Sequence, residues 1–72
     1  MTDETVRDIA EIALPFGRRA IVRQVDHESG LQMMRLVLFE GKRVTQVDMD
    51  PAAAEQLGTL LVAGPRPAGA EQ

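Results

Sequence analysis

Apolar and polar positions alternate through residues 31–49, LQMMRLVLFEGKRVTQVDM, and this stretch organises the rest of the chain. Two apolar runs flank a Glu-Gly-Lys centre. Glycine at the first central position of a two-residue loop suits a type II′ turn, because it accepts a positive φ. The alternation has the period of a strand, so we predict a β-hairpin around Gly41 and Lys42. A slip of one residue would set Leu36 and Leu38 among polar partners, so the register is well specified.

The predicted hairpin has two unlike faces. One face is almost wholly apolar and pairs Leu38 with Thr45, Leu36 with Val47 and Met34 with Met49. The opposite face is mixed and pairs Phe39 with Val44, Val37 with Gln46, Arg35 with Asp48 and Met33 with Asp50.

Two earlier segments extend this sheet. Residues 19–27, RAIVRQVDH, predict a strand that pairs with the next through a loop with Gly30 in the left-handed position, which sets Arg23 opposite Arg35. Residues 6–14 fit either a helical stripe or an alternating strand. We favour a strand from about residue 8 to 14, because the Pro-Phe-Gly turn signal at residues 15–17 follows it.

A helix start follows the hairpin. Asp50 is a good N-cap, Pro51 suits the first helical position, and residues 52–62 carry an apolar stripe at Ala53, Leu57, Leu60 and Leu61. Gly64 and Pro65 end the helix. The predicted fold class is therefore α+β: an antiparallel β-meander of three to four strands with one C-terminal helix packed on one face. We expect a frayed N-terminus over residues 1–5, one domain over 6–63 and a disordered tail over 64–72.

Composition restricts the chemistry. The chain has 72 residues, no cysteine and one histidine, which excludes disulfides and cysteine-ligated metals, and we expect no cofactor and no metal. A domain of this size has a small core and is commonly reinforced by association. There is neither a signal peptide nor a long apolar run, so we expect a cytoplasmic protein with no membrane contact.

One short helix cannot cover both faces of the sheet. The helix should cover the apolar face, and we expect the mixed face to be an interface, most simply of a two-fold homodimer. The alternative is a solvated face on which the stems of arginine side chains cover their neighbours. The predicted interface residues are Ile21, Arg23, Val25, Met33, Arg35, Val37, Phe39, Val44 and Asp48.

Candidate catalytic groups are few. Arg23, Arg35 and Asp48 align across adjacent strands, and a cross-strand salt bridge explains them better than an anion site does. Asp26, His27 and Glu28 are consecutive. In a strand, successive side chains lie on opposite faces of the sheet, so these three do not converge on one site. The chain has no phosphate-binding glycine motif. We therefore expect no catalytic residues and no enzyme activity.

The resulting hypothesis is a non-enzymatic homodimer that acts as an accessory or regulatory protein for a larger partner. The alternative is weak, sequence-tolerant nucleic-acid binding. Residues 18–47 carry six basic and three acidic residues, whereas the flanking segments together carry −6. The element order also resembles that of a family of dimeric single-strand-binding proteins, but aromatic residues are few and the net charge is −3. The contacts would come from Arg18, Arg19, Lys42 and Arg43 at the strand ends.

Overall fold

The computed structural model describes residues 4–66, which form a four-stranded antiparallel sheet and one C-terminal α-helix. The strand order is β1-β2-β3-β4, so every strand pairs with its neighbour in sequence. The fold is α+β, as predicted. The elements are β1 (Glu4–Ala13), a 3-10 turn (Pro15–Gly17), β2 (Arg19–His27), β3 (Gln32–Glu40), β4 (Arg43–Met49) and α1 (Pro51–Ala63).

Both predicted hairpins form in the predicted register. In the β3–β4 hairpin Leu36 pairs with Val47 and Leu38 with Thr45, around a turn in which Gly41 has a φ of 61°. In the β2–β3 hairpin Arg23 pairs with Arg35. Gly30 there has a φ of 95°, and its amide donates to the carbonyl of His27. Turn chemistry and alternation therefore specify these three strands without help from the rest of the chain.

The contested N-terminal segment is a strand, and it is longer than predicted. Glu4 and Thr5, which we expected to fray, pair with His27 and Asp26 as the first residues of β1. Residues 1–3 and 67–72, which include most of the predicted tail, lie outside the described residues. The register shifts between Asp8 and Ala10, which leaves Ile9 as a bulge on an edge strand. A bulge there twists the edge and hinders pairing with another strand.

The helix begins and ends at the predicted signals. The Asp50 carboxylate accepts a hydrogen bond of 2.8 Å from the Ala53 amide, and Pro51 occupies the first turn. At the other end Gly64 has a φ of 82°, and its amide donates to the carbonyl of Leu61. The helix packs against β3 and β4.

The two faces of the sheet are defined by this packing. We call the face under α1 the helix side and the opposite face the charged side. The helix side carries Ala20, Val22, Met34, Leu36, Leu38, Val47 and Met49. The charged side carries Asp8, Ile21, Arg23, Val25, Met33, Arg35, Val37, Phe39, Val44 and Asp48.

The core is small. Among the described residues the buried apolar side chains are Ala20, Ile21, Val25 and Val37, and neither β1 nor α1 contains a buried residue. Three of the four lie on the charged side, which has no helix over it. The helix side is instead incompletely covered, because α1 lies over only part of it.

Gly58 lies inside α1, and a methyl group added there would meet no other atom within 4 Å. We predict that Gly58→Ala stabilises the chain by about 1 kcal/mol, since alanine is the better helix former and the space is open. Thermal unfolding would show a rise of ~4–8 °C.

Gly64→Ala is the matched control. Its added methyl group also has open space, but its φ of +82° disfavours any side chain. We expect this substitution to lower the melting temperature. A fall for Gly58→Ala as well would mean that the helix already packs closely at residue 58.

Candidate association site

A row of four charged residues crosses the charged side, one from each strand. Asp8 pairs with Arg23, Arg23 with Arg35, and Arg35 with Asp48. The Arg23 Nε lies 2.7 Å from the Asp8 Oδ1, and the Arg35 Nε lies 2.7 Å from the Asp48 Oδ1. A second bond of 3.1 Å joins the Arg35 Nη2 to the Asp48 Oδ2. Each arginine is thus neutralised by a carboxylate on the adjacent edge strand.

Arg35 also reaches across the sheet. Its Nη2 lies 3.8 Å from the Glu4 Oε1 on β1, two strands away. In the observed register the Arg23–Arg35 pair and the Glu4–His27 pair are four residues apart along β2, and Val25 lies midway between them on the same face. Val25 is the one side chain below 2% exposure among the described residues. A layer of paired charges therefore covers the apolar centre of this face.

This layer changes the surface that the predicted interface offers. Ile21, Val25 and Val37 are buried within the single chain, and Arg19 stacks 4.3 Å from the centroid of the Phe39 ring. Met33 is half-buried, while Val44 remains 57% exposed. Arg23, Arg35 and Asp48 all have partners in the same chain. The predicted interface on this face stays a prediction, and its large exposed apolar residues are Val6, at 42%, and Val44.

The helix side has more exposed apolar area than the charged side. Between α1 and the sheet lies an open apolar groove of about 270 Å³. The helix residues along it are Ala54, Leu57, Gly58 and Leu61, so the side of α1 that faces the sheet is rotated from the predicted stripe of Ala53, Leu57, Leu60 and Leu61. We call this cavity the groove; its lining is Val22, Met34, Arg35, Leu36, Met49, Ala54, Leu57, Gly58 and Leu61.

The outer part of α1 is apolar and exposed. Leu61 is 71% exposed and Val62 87%, and Leu60 is exposed beside them. The predicted stripe placed Leu60 and Leu61 against the sheet and left Val62 out. The sequence did indicate that Leu60, Leu61 and Val62 are not all packed. Three consecutive residues on a helix point in directions about 100° apart, so they cannot all face one sheet. Together with the groove, these residues form the candidate association site.

The two ends of the sheet differ in charge. The β1–β2 and β3–β4 turns lie at one end, which brings together Arg18, Arg19, Lys42 and Arg43. Arg18 pairs with Glu40 at 3.1 Å, and Arg19 with Glu11 at 3.3 Å. We call this the basic end. The opposite, acidic end carries Glu4, Asp26, Glu28 and Asp50, which lie at the start of β1, at the β2–β3 turn and at the start of α1.

Phe16 projects from the basic end. It is 89% exposed and has a φ of 65°, a left-handed backbone conformation that is unfavourable for a bulky side chain. The Arg18 guanidinium carbon lies 5.8 Å from the centroid of its ring. The Pro-Phe-Gly turn was predicted, but the conformation of Phe16 was not, because nothing in the local sequence shows that phenylalanine as well as glycine takes a positive φ.

The acid–base candidates do not form a catalytic cluster. Asp26 accepts hydrogen bonds of 2.8 Å from Gln24 and 3.1 Å from Gln32, and the bond from Gln24 is the main reason that the pKa of its carboxyl is lowered. His27 lies on the other face, 3.8 Å from Glu4. Within residues 4–66, no three His, Asp or Glu side chains come together as a metal site would require.

The described part of the chain has no helix of the length and apolar character needed to span a membrane.

The fold and the site define a small α+β protein with an incompletely covered sheet. A family model for DUF6967, a family of unknown function, matches residues 3–66. The chain therefore belongs to this family. Comparison with curated proteins and with solved structures gave no match.

The Arg35–Asp48 pair leads to a pH dependence. Its hydrogen bonds hold the pKa of the Asp48 carboxyl below its ordinary value of 3.8. Because the folded-state pKa is lowered, the pair stabilises the fold above about pH 4 and this stabilisation is lost as the pH falls through the folded-state pKa. We predict that Asp48→Asn destabilises the chain at pH 7 and that the difference from wild type shrinks below pH 4. Urea unfolding at pH 7 and pH 3 measures this, and an equal difference at both values would contradict it.

Proposed function

We propose that this protein is a non-enzymatic association module that forms a homodimer in the cytoplasm and serves a larger protein as an accessory or regulatory subunit. The observation that supports it best is the uncovered apolar surface of the helix side. A helix with no buried residue, beside an open groove, is an unusual feature of a monomer that has so few buried side chains.

The helix side is the better surface for self-association. Its exposed residues Leu60, Leu61 and Val62 adjoin the groove, so apolar projections and an apolar depression lie side by side. A two-fold interface needs such self-complementarity, since the same patch serves both copies. On the charged side, in contrast, the ion pairs would have to lose water or partners on association, which offsets the gain from Val44.

Solution mass by light scattering over a range of protein concentrations tests this proposal. We expect twice the monomer mass of 7.9 kDa. Leu61→Glu should weaken the dimer at least ~10-fold, because it places a charge in the apolar contact. Circular dichroism should show a folded chain, since Leu61 is mostly exposed.

Val44→Glu is the matched control on the charged side, where Val44 is also exposed. We expect it to leave the dimer intact. A monomeric Val44→Glu protein with a dimeric Leu61→Glu protein would assign the interface to the charged side. A monomeric wild type at all concentrations would refute self-association.

Weak nucleic-acid binding is the second candidate function. One observation favours it: Arg18, Arg19, Lys42 and Arg43 share the basic end with an exposed aromatic ring. Phosphate contacts and base stacking are the usual elements of single-strand binding. We rank it second because Glu40 and Glu11 already pair with two of the four cations.

This candidate predicts that a labelled oligothymidylate binds at 50 mM salt and is released as salt approaches 200 mM. Fluorescence anisotropy measures the binding, and Lys42→Glu should abolish it. An oligonucleotide that stays free at 50 mM salt would eliminate the candidate.

A further inference from the structure

Phe16 is a strained and exposed residue, and the fold of the single chain buries almost none of it. Its ring is almost wholly in solvent, while its backbone occupies a conformation that glycine or asparagine would adopt with less strain. Such strain persists where the surrounding turn enforces it and is concentrated at sites of binding. The turn is fixed by a 2.8 Å bond from the Leu14 amide to the carbonyl of Arg18.

The groove is large enough to receive this ring. Its volume of about 270 Å³ exceeds the ~150 Å³ of an apolar cavity that binds benzene. Its walls are aliphatic and sulfur-containing, from Met34, Met49, Leu57 and Leu61. Methionine adapts to irregular shapes and makes favourable contacts with aromatic rings.

Phe16 and the groove lie at different positions along the strands. Phe16 occupies the basic end, whereas the groove lies over the middle of β2 and β3, at Val22 and Leu36, and reaches the Met34–Met49 pair toward the acidic end. Lys42 and Arg43 at the basic end and Glu28 at the acidic end form no ion pair among the described residues, whereas Arg18 is paired with Glu40 and Asp26 with Arg7. A second copy placed with its strands reversed would therefore bring its aromatic ring to the groove and turn its unpaired cations toward the acidic end.

We propose that the two copies of the dimer run antiparallel and that Phe16 of each inserts into the groove of the other. The proposal rests on the self-association proposed above and specifies how the copies are arranged. Each copy contributes one projecting ring and one groove, so a two-fold axis satisfies both contacts at once and closes the assembly at two chains.

Cross-linking tests the arrangement directly, because the chain has no native cysteine. Arg18→Cys places a thiol beside Phe16 and Ala54→Cys places one in the groove. The two variants are mixed, treated with a short bismaleimide and analysed by mass spectrometry. We expect a covalent product that contains one copy of each.

The matched control mixes Arg18→Cys with Lys42→Cys, since both residues lie at the basic end. This pair should give no mixed product. If it cross-links efficiently while the first pair does not, the basic ends meet and the antiparallel arrangement is refuted, although self-association stands. A monomeric mass for the wild type refutes the proposed function itself, so the two failures are distinguishable.

Phe16→Asn separates the role of the ring in association from its effect on folding. Asparagine tolerates a positive φ, so the variant should melt ~4–8 °C higher than wild type at concentrations where both are monomeric. Its dimer dissociation constant should rise at least ~10-fold, because the inserted ring is gone. Phe16→Leu keeps an apolar side chain and should dimerise within a few-fold of wild type. An undiminished dimer of Phe16→Asn would overturn the proposal.

Discussion

A four-stranded sheet has two faces, and this chain has one short helix with which to cover them. An apolar face left in water forfeits the free energy that drives folding, so each face needs some other cover. The charged side is covered by its own long side chains, with Arg35 bonded to Asp48 and 3.8 Å from Glu4. The helix side is covered in part by α1. The surface available for association follows from this division.

The ionic cover does not by itself make a stable domain. Exposed ion pairs contribute little, commonly below ~1 kcal/mol, because water and salt screen them. Their arrangement matters more here than their number. The bidentate Arg35–Asp48 pair fixes the position of a side chain whose aliphatic stem can then shield apolar neighbours. Burial of apolar surface must supply the rest of the stability.

Much of the fold could be predicted from the sequence, because local rules agreed with one another. Glycines at Gly30 and Gly41 matched the turns, and alternation fixed both registers before any long-range contact was considered. Asp50 and Pro51 located the helix start for the same reason. The start of β1 was less predictable, since its bulge at Ile9 interrupts the alternation.

The surface was harder to predict than the fold. The cross-strand pair of Arg35 and Asp48 followed from the register of one hairpin. The pairing of Arg23 with Asp8 and of Arg35 with Glu4 required the position of β1, which the sequence left undecided. Without those pairs only Asp48 was available to neutralise Arg23 and Arg35, and the charged side was predicted to be an interface. The positive φ and the exposure of Phe16 could not be anticipated, because the local sequence does not show that phenylalanine takes this conformation.

The meander order has a consequence for kinetics. Every strand pairs with the strand next to it in the chain, so most contacts join residues that are close in sequence. Chains with such local contacts fold faster than those that must first close long loops. We therefore expect each newly made chain to complete its sheet on its own. For the proposed dimer, encounter between folded subunits would then be the slow, concentration-dependent step.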